Sequence, residues 1–137
     1  MKRFSFSLQK VLQLREFRED ECKIELGKAV GILTEIENSI NAAASSRRLA
    51  ALERFSASDD MLTWDNYIVR LDQEIEKLMN DAAKAELVVE EKRALYLKAS
   101  QEVKTIDKLR EKREKEHRKA MLAAQTEEMD FQVNAKM

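Results

Sequence analysis

A seven-residue apolar repeat runs from residue 68 to residue 131 of a 137-residue chain that holds no proline and two glycines. Ile68, Ile75, Ala82, Val89, Tyr96 and Val103 share one heptad position, and Leu71, Leu78, Ala85, Ala99 and Ile106 lie three residues after the matching members. Apolar residues spaced alternately three and four apart form one stripe on a helix, and that stripe is satisfied by a second helix. Without proline nothing in the covalent chain breaks such a helix. The fold class that follows is all-α.

Composition agrees and narrows the function. Charged residues make up 37% of the chain and aromatics 6%, the bias of long helices, and the length suits one folding unit. Paired helices bury one stripe each and leave nowhere to enclose a substrate, so an enzyme is disfavoured. The single cysteine, Cys22, has no partner for an internal disulfide, and the opening residues Met1, Lys2 and Arg3 lead into Phe4-Ser5-Phe6-Ser7 rather than a continuous apolar run. The chain reads as cytoplasmic. No window approaches the roughly 18 consecutive apolar residues of a membrane span, so direct membrane insertion is not expected.

A first helix is predicted over about residues 7–54, with Ser7 as its cap and Phe6 packed on Val11. Its stripe is Leu8, Leu12, Cys22, Leu26, Ala29, Leu33, Ile36, Ile40 and Ala43, interrupted by Arg15 and Glu19. Gly27 and Gly31 lie inside it, each costing about 1 kcal/mol against alanine, and read as tolerated weak points rather than places of close approach. Serines and acids at residues 55–60 suit a loop, with Ser58 capping a second helix over about residues 59–134 and Asp59 and Asp60 favouring its positive end. The expected architecture is an antiparallel two-helix coiled-coil hairpin with a longer second helix, as one domain over residues 1–137.

A reversal near residues 56–58 pairs residues whose numbers sum to about 115, bringing Leu8 near Ile106 and Cys22 near Lys92. The second helix then overhangs from about residue 108 by roughly 25 residues, or about 40 Å at 1.5 Å per residue. There the heptad positions become Arg110, Arg113 and His117, so the spacing persists while its apolar content vanishes. Apolar residues return at Ala120, Met121, Leu122, Met129 and Phe131. Pairs such as Glu111 with Lys115 and Glu114 with Arg118 suit a solvated single helix.

Charge is segregated although the total is −1. Residues 2–18 carry five basic and one acidic side chain, residues 19–107 carry 12 and 19, residues 108–119 carry seven and three, and the last 18 carry one and three. The hairpin brings both basic segments to its open end, a pole suited to an acidic surface or channel. Acidic residues interleaved in the second basic segment, and the lack of aromatics between Tyr96 and Phe131, count against nucleic acid. His117 and Cys22 are each single and far apart in the expected register, so neither a metal site nor a Cys-His nucleophile is buildable, and there is no glycine-rich phosphate loop. No cofactor is expected. Trp64 can join the seam through Ile68, whereas Tyr67 lies one position off it and is free to anchor a partner.

The segment F-S-F-S-L-Q-K-V-L-Q-L-R-E over residues 4–16 resembles the N-terminal signature of the FliJ family of flagellar type III export proteins. K-L-R-E-K-R-E-K-E-H-R-K over residues 108–119, with Glu127-Glu128-Met129-Asp130 after it, resembles that family's C-terminal block. The resemblance implies a stalk-like, non-enzymatic coiled coil that binds and activates the hexameric export ATPase and links it to the membrane export gate, located in the cytoplasm at the inner membrane of the flagellar base. It further implies that export chaperones are possible partners. Combined with the basic, aromatic-tipped end, it assigns ATPase-ring contact to Phe4, Phe6, Leu8, Val11, Leu12, Arg110, Arg113, His117 and Phe131. Export-gate contact maps by pattern to Tyr67, Leu71 and Leu78. The chain is then expected to be a monomer when free. Two alternatives stand beside this reading, a homodimeric structural adaptor pairing its second helices between chains, and an export chaperone.

Overall fold

The structure is a computed structural model that describes residues 3–56 and 60–135. It consists of two helices, α1 over Gln9–Ser56 and α2 over Met61–Ala135, packed against each other, with no strand among the described residues. Ion pairs give the direction of packing: Arg15 meets Glu102, Arg47 meets Asp72 and Arg54 meets Asp65, so residue numbers fall along one helix as they rise along the other. The fold is an antiparallel helical hairpin. Its helix bounds lie within two residues of those read from the sequence.

The helix starts differ from expectation. In α1 the Leu12 amide donates to the Leu8 carbonyl at 2.9 Å, and the Gln9 amide donates to the Phe6 carbonyl at 3.0 Å. The residue whose carbonyl accepts the first helical bond is the cap. Leu8 therefore holds that position, one residue later than the expected Ser7, and the entry is made by a backbone turn. A hydrophobic staple of Phe6 on Val11 is shifted out of frame by the same step. For α2 the Trp64 amide donates to the Asp60 carbonyl at 3.1 Å, making Asp60 the cap. The expected caps Ser58 and Asp59 lie outside the described residues.

The contacts of the chain gather into two compact units. Along a two-helix seam each residue touches only neighbours within a turn or two, so contacts cluster locally. One unit is Cys22–Tyr96. Its seam buries Ala29, Ala43 and Ala50 from α1 against Leu71 and Val89 from α2, with Leu26, Leu33, Ile36 and Ile40 half-buried between them. Near its loop Arg54, in the last turn of α1, grips Asp65 with Nε and Nη2, and Arg47 holds Asp72 in the same two-point manner. Forked guanidinium contacts of this kind fix orientation as well as charge.

The other unit is Met1–Glu21 with Leu97–Met137. Leu12, 1% exposed, and Ala99 are its buried residues, and Val103 and Ile106 continue the stripe of α2 half-buried. Arg15 and Glu19 do not interrupt this seam but occupy it, half-buried, and Arg15 Nη1 donates to Glu102 Oε2 at 2.6 Å.

Two expectations about register are corrected. The pairs Arg15–Glu102, Arg47–Asp72 and Arg54–Asp65 add to 117, 119 and 119 rather than to about 115. The loop is centred between Ser56 and Met61, later than assumed, which shifts the pairing by two to four residues, about half a turn to one turn. The overhang also begins later than residue 108. Arg110, Glu114, His117 and Met121 remain half-buried, and only residues 122–135 are exposed throughout. Residues 3–6 are not helical, and an extended chain advances about 3.3 Å per residue where a helix rises 1.5 Å, so a short segment covers a long stretch of α2.

Candidate functional site

In the unit Met1–Glu21 with Leu97–Met137 the N-terminal segment crosses α2. The Phe4 ring lies 5.6 Å from the His117 imidazole at a 48° tilt, within the range of favourable aromatic pairs, and both are half-buried. Phe6 is half-buried, while Leu8 and Val11 keep 37% of their surface each. Leu12 is committed to the seam and offers a partner almost no surface. Of the cationic residues proposed at this end, Arg110 is half-buried and Arg113 is exposed. The half-buried place in that turn goes to Glu114, because a 3.6-residue helix drifts against a seven-residue repeat where no partner helix holds it in phase. Arg110 Nε is buried without a hydrogen-bond partner, an unspent donor beside the seam. Arg118 donates to Glu114 at 2.9 Å, one of the two ion pairs expected here. Phe131 is 75% exposed.

Two residues at this end escaped the sequence reading. Leu14 and Phe17, 66% and 61% exposed, stand on α1 beside Val11 with Arg18 between them, on the side away from the Leu12 stripe. The signal was present: both are large apolar residues that fall off the repeat 8, 12, 15, 19, and no intramolecular partner was left for them.

The unit Cys22–Tyr96 carries a second surface. Trp64 and Tyr67 stack edge to face at 6.1 Å and 75°, and the Arg70 guanidinium lies 5.8 Å from the Tyr67 ring centroid. With Leu49, Ala50 and Glu53 of α1 they line an open groove of about 470 Å³. Trp64 is half-buried toward the seam and Tyr67 is partly exposed, as their spacing indicates. Leu71 is 7% exposed and Leu78 is half-buried; both belong to the intramolecular seam, so of the three residues mapped to gate contact only Tyr67 presents its ring. Beside this groove Asp72 holds the Arg47 guanidinium above the usual arginine range, through their hydrogen bond first and charge attraction second, against a smaller opposing effect of burial.

Among the described residues no group of three His, Cys, Asp or Glu side chains could hold a metal ion, and no helix is long and apolar enough to cross a membrane. What the surfaces offer is apolar and aromatic side chains flanked by guanidinium groups, the chemistry of protein docking. No curated protein and no solved structure matches the chain. The family described as Flagellar FliJ protein matches residues 4–130 of the 137, and the chain belongs to that family, as a component of flagellar protein export.

Proposed function

We propose that this protein is a non-enzymatic stalk whose terminal end engages the hexameric export ATPase, promoting its ring assembly and hydrolysis, and which links that ATPase to the membrane export gate at the inner membrane. One observation carries the reading. Two basic segments, residues 2–18 and 108–119, each with a net charge of +4, belong to one unit, where Phe4 seats on His117 and Val11, Leu14 and Phe17 stay exposed. A cationic end with apolar and aromatic anchors suits entry into an acidic protein channel. Gate contact belongs to the Trp64, Tyr67 and Arg70 groove, whose exposed ring and charged rim suit a polar protein surface.

The test is to titrate the protein into its cognate ATPase and follow hydrolysis and ring formation together. Stimulation of both is expected, weakening as ionic strength rises because the attraction is between exposed charges. Phe4→Ala with Phe6→Ala should reduce stimulation at least several-fold while circular dichroism stays nearly unchanged, since neither residue is inside a helix. No change in either activity at saturation would end the stalk reading.

A further inference from the structure

Residues 122–135 form the last exposed stretch of α2 and are amphipathic without a partner. Leu122, Met129 and Val133 fall at i, i+7 and i+11, one narrow stripe, and are 63%, 67% and 56% exposed. Asp130 and Glu128 flank Met129 about 100° to either side, whereas Glu127 lies on the opposite face with Phe131. No lysine or arginine occurs in residues 122–135, so the arm has a charge of −3. The same unit carries the opposite surface: Val11, Leu14 and Phe17 exposed on α1, with Lys10 and Arg18 free of ion pairs among the described residues and Glu21 at the inner edge.

The arm cannot reach that surface in its own chain. Arg15 meets Glu102, so Leu14 stands beside this part of α2, and Met129 lies 27 residues beyond Glu102, about 40 Å along a continuous helix. In a second copy, pointing the other way, the distances suit. An arm that extends past its own N-terminal segment arrives alongside the first turns of the facing α1, and the twofold axis makes the exchange reciprocal.

We propose that two copies of this chain associate end to end, each laying its acidic C-terminal arm on the basic apolar face of the other's α1. Leu122, Met129 and Val133 cover Val11, Leu14 and Phe17, and the carboxylates of Glu128 and Asp130 meet Lys10 and Arg18. The free protein then hides the end that the stalk reading presents to the ATPase, and the monomer expected from the sequence is the dissociated form. The inference stands without the stalk reading, because its readout is the mass of the protein alone.

Sedimentation velocity of the full chain over a wide concentration range tests it, with helicity followed in parallel. A monomer and dimer in equilibrium are expected, with a dissociation constant that rises with salt. Leu14→Ser with Phe17→Ser should raise that constant about tenfold or more, and so should Glu128→Lys with Asp130→Lys. Adding Lys10→Glu and Arg18→Glu to the arm reversal should restore dimerisation. The proposal is overturned by a monomer at every concentration, by a dimer indifferent to these changes, or by a double reversal that does not recover.

Discussion

Leu12 and Arg15 stand one turn apart on the same stripe of α1 and show what the seam asks of a residue. Leu12 is 1% exposed, the most buried large side chain described, and Leu12→Ala should lower stability by roughly 2–4 kcal/mol, as truncation of a packed leucine does. Thermal unfolding followed at 222 nm measures it; a loss below about 0.5 kcal/mol would mean the seam collapses around the smaller side chain. Arg15 reaches a similar place by lying along the seam and placing its guanidinium on Glu102, so a charged residue read as an interruption is instead a fixed point of register. The glycines are the opposite case. A Cβ at Gly27 or Gly31 would meet nothing within 4 Å, and neither has positive φ. Gly27→Ala and Gly31→Ala should each stabilise the protein, by up to about 1 kcal/mol, and an unchanged or lowered melting temperature would show that something outside the chain approaches them.

At the scale of the element, the heptad repeat made both helices legible, because a period of alternately three and four residues without proline permits little else. Their pairing was less legible. Periodicity fixes which face is buried, not how far one helix slides along the other. That offset depends on where Ser56 ends one helix and Met61 starts the next, and on the extended stretch before Leu8, which carries Phe4 as far as His117. The candidate site shows the same division. Phe4, Phe6 and Tyr67 stand out in the sequence because aromatics off a seam are conspicuous, whereas Leu71 and Leu78, mapped to gate contact by pattern, are a buried and a half-buried seam residue, and a seam leucine and a docking leucine look alike in one sequence. The arm gives a test at this scale. Every residue in 122–135 is exposed, so deleting residues 122–137 at low protein concentration should shift the melting temperature by no more than about 2 °C, for want of buried surface to lose. A larger fall would place the arm in contact with the hairpin.

For the whole molecule, what matters is how unevenly the seam is furnished. The unit Cys22–Tyr96 has apolar residues at successive seam positions from Leu26 to Ala43, closed near its loop by the forked pairs of Arg47 and Arg54. In the unit that holds both chain ends, Leu12, Ala99, Val103 and Ile106 share the seam with half-buried Arg15, Glu19, Arg110, Glu114 and His117, so its turns bury more polar groups. Apolar burial supplies about 25 cal/mol per Å², whereas half-exposed ion pairs add at most about 1 kcal/mol, so the second unit should open at lower free energy. Native-state hydrogen exchange resolves this residue by residue. Amides of residues 29–50 and 71–89 should exchange only through the largest openings, those of residues 9–21 and 99–117 through smaller ones, and those of residues 122–135 nearly as fast as a free helix. A uniform exchange free energy along both helices would mean that the hairpin opens as one cooperative body. The graded outcome would suit the docking proposed for this end, because the element that moves on binding comes from the least stable part of a fold.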